Sequence, residues 1–97
     1  MSLPVILGPA AQRELDDATD WYERNGGLGF EFVARVQDAI DRIGQMPESH
    51  ATIHKSIRRA RVPRFPYFLF YRIKADEVEV IAILHGHRDP TIWESRA

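Results

Sequence analysis

Pro66-Tyr67-Phe68-Leu69-Phe70-Tyr71-Arg72-Ile73 is eight residues of aromatic and branched side chains, and it is followed by Ala75-Asp76-Glu77 and then by Val78-Glu79-Val80-Ile81-Ala82-Ile83-Leu84. Two apolar runs of strand length on either side of a polar turn form an antiparallel pair. In the first run alternation puts Tyr67, Leu69 and Tyr71 on one face and Phe68, Phe70 and Arg72 on the other. The second is apolar on both faces, the signature of a strand buried inside a sheet. Ahead of them Ser56 to Val62 is polar and basic, and reads as an edge strand completing an antiparallel meander.

Working outward, the N-terminal half supplies helices. Leu3 to Leu7 is a short strand stopped by Gly8-Pro9, and Pro suits the first turn of the helix that follows. Ala11, Leu15, Ala18 and Tyr22 then recur at helical spacing among charged residues, until Asn25-Gly26-Gly27 ends the helix. A second helix runs from about Leu28 to Gln45-Met46-Pro47, with Phe32, Val36, Ile40 and Ile43 on one stripe and Phe30, Val33 and Ala39 widening it. Trp21 sits about 100° round from Tyr22, which makes it an exposed interface residue or one covered by a short terminal helix over Pro90 to Arg96. The expected fold is α+β, in the order β-α-α-β-β-β: a two-helix hairpin packed on one face of a small antiparallel sheet, with a short C-terminal helix. Leu15, Tyr22, Phe32, Val36, Ile40 and Ile43 should meet Leu69, Ile81 or their alternating neighbours in one core.

Ninety-seven residues hold one domain, here 1–97, and one modest core. Cysteine is absent, so neither a disulfide framework nor a thiolate metal site is available. No stretch approaches the roughly 18 apolar residues of a membrane span, and the chain reads as cytoplasmic. The net charge of −1 conceals an asymmetry: residues 1–50 carry four basic and nine acidic side chains, residues 51–97 nine basic and five acidic. Between Ala51 and Ala75 seven basic residues occur with no acid: Lys55, Arg58, Arg59, Arg61, Arg64, Arg72 and Lys74. A localised positive field of this kind attracts a polyanionic or acidic partner. Arg58, Arg59, Arg61 and Arg64 are the expected partner surface, although alternation places Arg59 and Arg61 on one face of the strand and Arg58 on the other.

The order of elements, the run Arg61–Ile73 (RVPRFPYFLFYRI) and the ending Val78–Trp93 (VEVIAILHGHRDPTIW) together resemble the RelE/ParE superfamily of bacterial toxins. Glu14–Glu23 (ELDDATDWYE) is similar to the acidic, aromatic-ended first helix of its ParE-type branch, the plasmid stabilisation proteins. The resemblance implies a toxin of a type II toxin–antitoxin pair, neutralised by a cognate antitoxin whose acidic amphipathic segment would cover the groove between helix hairpin and sheet. It also implies one of two targets: DNA gyrase, bound as ParE members bind it, or messenger RNA in the ribosome, cut as RelE members cut it. His85-Gly86-His87-Arg88-Asp89 is similar to the ParE-type pattern His-Gly-Arg-Arg-Asp, with His87 where an arginine is usual, and this keeps the ribonuclease reading open. For such cleavage His85 and His87 would move protons while Arg61 and Arg88 held the phosphate. A non-toxic basic binding module is a third reading, and a homodimer is left open. No cofactor or metal is called for, since His-x-His has no third ligand near it and His50 and His54 lie elsewhere.

Overall fold

The computed structural model describes residues 2–97. Along the chain these form β1 (Val5–Leu7), α1 (Pro9–Arg24), α2 (Gly29–Gln45), a 3-10 turn (Pro47–Ser49), β2 (Thr52–His54), β3 (Ile57–Arg61), β4 (Tyr67–Ile73), β5 (Val78–His85) and α3 (Thr91–Glu94). The α+β class and the predicted order hold, with one small strand added before β3. The sheet order is β1-β5-β4-β3-β2, and the meander β3-β4-β5 is antiparallel as expected. β1 lies parallel to β5, pairing Val5 with Val78 and Leu7 with Val80, so the sheet is mixed. β3 is not an edge: Thr52 pairs with Arg58 and His54 with Ile57, which leaves the outermost place to β2.

α1 starts on Pro9, and its C-terminus unwinds through Gly26 and Gly27, whose φ angles of 124° and 67° suit residues without a Cβ. The two helices then cross closely at Gly29, where a Cβ would stand 3.1 Å from the Thr19 carbonyl oxygen. Their apolar stripes lie on the sheet face formed by Ala60, Val62, Leu69, Tyr71, Val78, Val80 and Ile83. Tyr22 and Phe32 stack at 5.0 Å, and both meet Phe65 and Tyr67 edge-on.

Leu15, Tyr22, Phe32, Val36, Ile40, Ile43 and Leu69 share this core as predicted, with Ile40 only half-buried. Ile81 does not share it. A bulge shifts the β4–β5 register between Phe70–Ala82 and Tyr71–Val80, and Ile81 joins Ala82, Leu84, Phe70 and Ile57 on the opposite face. Phe30, 200° round the helix from Phe32, is 89% exposed, and Val33 is exposed beside it, so neither widens the buried stripe. α3 covers part of the second sheet face: Trp93 stacks on Phe70 at 4.7 Å, and Ile92 packs beside it. Trp21, on the far side of the sheet from α3, is exposed.

Candidate functional site

The acid-free window of sequence is not acid-free in space. Arg72 pairs with Glu79 at 2.8 Å across the β4–β5 ladder, and Lys74 reaches the same carboxylate at 3.5 Å. The hydrogen bond from Arg72 is the main reason the Glu79 carboxyl stays below its ordinary pKa. Arg64, at φ 69° in the β3–β4 turn, lies 3.5 Å from Glu31 at the start of α2. Arg58 points to the helix side and donates to the carbonyl oxygens of His50 at 2.6 Å and Glu48 at 3.3 Å, tying down the segment that leads into β2. The predicted quartet is therefore divided, and only Arg59 and Arg61 share a surface.

That surface is the half of the outer sheet face that α3 leaves bare. The Arg59 guanidinium lies 4.6 Å and the Arg61 guanidinium 5.8 Å from the Phe68 ring centroid. Among the described residues neither forms an ion pair. Pro66, His85, Gly86 and His87 complete a cleft of about 380 Å³ with no acidic residue in its lining. Two cations on one aromatic face, with a shallow apolar floor, suit a carboxylate or phosphate that brings a flat or apolar group with it.

Of the four residues named for RNA cleavage, three meet here and one does not. The His85 and His87 rings are 5.1 Å apart, and the His87 N–H donates to His85 Nδ1 at 3.0 Å. Arg88 turns instead into a second groove on the α1 side, with Trp21, Asp17, Tyr67 and Ile83. His85 lines both depressions, its ring edge-on to Tyr67 at 5.5 Å. Among the described residues no group of three or more His, Asp or Glu side chains is placed to hold a metal ion.

Alternation placed Phe68 on the face of β4 opposite Tyr67, Leu69 and Tyr71, but nothing in the sequence marked it as the floor of the cleft. Sequence reasoning also missed the Tyr71 anchor. The buried Tyr71 hydroxyl donates to the Pro47 carbonyl at 2.7 Å and Ser49 Oγ donates to the Met46 carbonyl at 2.8 Å. His50 Nδ1, 3.2 Å from the one hydroxyl and 3.3 Å from the other, must therefore carry the proton it shares with them. Strand alternation did separate Arg58 from Arg59 and Arg61, as the structure shows; no pattern in the chain announces the bond from β4 to the loop after α2.

A helix hairpin laid on one face of a five-stranded sheet, with a basic cleft on the other, is the arrangement that the resemblance to the RelE/ParE class implies. Within that class the chain belongs to the ParE toxin family of the type II toxin–antitoxin system parDE, whose profile matches residues 5–90. Among solved structures, a chain of the chromosomal ParDE TA system from P. aeruginosa is similar in fold, with a TM-score of 0.76 at 18% identity. The match covers 87% of this chain and 96% of that one. No curated protein matches the sequence. No helix among the described residues is long and apolar enough to cross a membrane.

Proposed function

We propose that this toxin is a cytoplasmic protein that acts by binding its target, DNA gyrase being the target its family likeness offers, and that a cognate antitoxin silences it by covering the Arg59–Arg61 cleft with an acidic amphipathic segment. The observation that carries the antitoxin reading is the pair of guanidinium groups held on Phe68 with no ion-pair partner. Cations already desolvated on one side and unneutralised are the places where an acidic partner gains most in approach rate and register. Because Arg59 and Arg61 look away from the helix hairpin, a segment that meets them lies on the outer sheet face and not in the hairpin groove expected from sequence. Arg58 and Arg64, engaged within the chain, act by positioning the surroundings.

The test is co-expression with the small protein encoded in the adjacent reading frame. Replacing Arg59 and Arg61 together by Glu is expected to slow association at least tenfold, in line with removal of steering charge, and to make it insensitive to salt. Unchanged association by the folded variant would refute the assignment.

A ribosome-dependent ribonuclease is the second reading, favoured by the meeting of His85, His87 and Arg61 in one cleft. A nuclease that loses its working imidazole loses about 10²–10⁴-fold in rate. The His85→Gln/His87→Gln double variant is expected to keep growth arrest, with damaged DNA and intact messages. Loss of arrest together with loss of codon-specific cuts would transfer the assignment to the ribonuclease. No growth arrest on induction of the unaltered chain would leave a non-toxic binding module.

A further inference from the structure

The acidic half of the chain divides as the basic half does, into residues used inside the fold and residues left over. Glu31 and Glu79 hold Arg64 and Arg72. Glu14 serves the sheet: β1 accompanies β5 only from Val78 to Val80, and beyond that point Glu14 Oε1 accepts the Ile83 N–H at 3.0 Å. Arg96, paired with Glu14 at 2.9 Å, donates to the Ile81 carbonyl at 3.0 Å, so the two side chains continue the ladder. Asp20 and Glu23 have no ion-pair partner among the described residues. Glu23 Oε1 accepts the Gly29 N–H at 3.1 Å, which fixes that carboxylate where the helices cross.

These two acids stand beside the most exposed aromatic ring of the molecule. Helical spacing turns Asp20 about 200° from Tyr22 and Phe30 about 200° from Phe32, so both point away from the sheet. With Thr19, Glu23, Gly29 and Val33 they line a depression of about 440 Å³ on the outer side of the hairpin. Phe30 is 89% exposed there, and Val33 is 42% exposed. An apolar patch kept in water and rimmed by charge marks contact with another surface.

The chemistry that fits this patch is present on the chain itself. The Arg59–Arg61 cleft offers two guanidinium groups without an ion-pair partner, an aromatic floor in Phe68 and no acidic residue. It lies on the sheet face opposite the hairpin, so no chain can bring its own Phe30 to its own cleft. Two copies can. Hairpin against hairpin sets carboxylates on carboxylates, and cleft against cleft sets guanidinium groups on guanidinium groups, so like charge opposes both symmetric pairings. The hairpin of one copy in the cleft of the next satisfies both surfaces.

We infer that free chains associate head to tail, Phe30 of one copy entering the Arg59–Arg61 cleft of the next against Phe68, with Asp20 and Glu23 meeting the two guanidinium groups. The contact is heterologous. It leaves an unused hairpin at one end and an unused cleft at the other, so growth does not stop at two copies. One ring and two carboxylates make a contact below the roughly 1,000 Å² of a stable interface, so association depends on concentration and on salt. Competition with an antitoxin for the same cleft follows only where the function proposed above holds.

The test is sedimentation equilibrium of the purified chain and of two variants altered at exposed positions: Asp20→Asn/Phe30→Ala on the hairpin and Arg59→Gln/Arg61→Gln in the cleft. At about 0.05 M salt the mean mass of the unaltered chain is expected to rise with concentration past twice the 11.2 kDa of one chain, and to fall back towards one chain at about 0.5 M. Each variant alone is expected to keep the mass of a single chain. Mixed, the two supply one intact hairpin and one intact cleft, and are expected to form pairs and nothing larger. A single-chain mass for the unaltered protein at every concentration, a mass that levels off at two chains, a folded variant that associates as the unaltered chain does, or folded variants that stay unpaired when mixed each overturns the head-to-tail contact. No antitoxin enters these measurements, so their failure leaves the antitoxin reading standing.

Discussion

Removal of Glu14 tests whether a pair of side chains serves as a strand. Glu14→Ala deletes the carboxylate that binds Arg96 at 2.9 Å and accepts the Ile83 N–H at 3.0 Å. Breaking a fully buried ion pair costs about 3–5 kcal/mol, and breaking an exposed one costs about 0–1. The two side chains are 18% and 28% exposed, and one backbone donor loses its partner as well, which places the loss at about 2–3 kcal/mol. In a chain of this size that lowers the melting temperature by about 10–20 °C. Glu14→Gln keeps an acceptor for Ile83 while losing the charge, and should cost about 1 kcal/mol. Urea unfolding of Glu14→Ala, Arg96→Ala and the double variant, with unchanged m values, gives the coupling, expected at about 1–3 kcal/mol. A coupling below about 0.5 kcal/mol, or a Gln variant as unstable as the Ala variant, would refute the description of the pair as part of the sheet.

Three further outcomes are expected. Ile43→Ala, at a fully buried position, should cost about 2–5 kcal/mol and Ile40→Ala, at a half-buried one, clearly less; equal melting points for the two variants would contradict the packing of α2. Burial first, and then the charges of Arg42 and Arg58, hold the His50 imidazole below its ordinary pKa. The unfolded chain therefore binds the extra proton more readily, and stability is full above about pH 6.5 and declines as pH falls below it. His50→Asn keeps a donor near Nδ1 without the titration, so its melting temperature should drop less between pH 7 and pH 5 than that of the unaltered chain. Phe68→Ala removes the ring beneath Arg59 and Arg61 and should weaken capture of the acidic partner, with a smaller loss of stability than Ile43→Ala because Phe68 is only partly buried at the margin of the outer cluster; full affinity in a titration would remove Phe68 from the site.

The elements set by local chemistry were legible in the sequence. Pro9, Gly26-Gly27 and Pro47 bound the two helices, and alternation in β4 separated Tyr67, Leu69 and Tyr71 from Phe68 and Phe70 as the structure does. What escaped depends on contacts distant in the chain. The bulge that turns Ile81 outward adds one residue to a run apolar on both faces, where no polar residue marks the change. β2 is three residues long, too short for a period, and took the edge from β3. The basic window was conspicuous, but its reduction to Arg59 and Arg61 required Glu31, Glu79 and the carbonyl oxygens before β2, which arrive through tertiary structure alone.

The parallel pairing of β1 with β5 joins residues more than seventy positions apart: Val5 waits for Val78. The hairpin of α1 and α2 is made in the first half of synthesis, yet the face it must cover comes from β3, β4 and β5 in the second. A nascent chain that has reached Met46 thus carries an unburied stripe of Phe32, Val36 and Ile43, and no smaller unit can fold around it. Such long sequence separations slow folding and leave apolar surface open to capture. The interval between synthesis and activity is then set by the last strand, and a partner made alongside this chain can meet it before the sheet has closed.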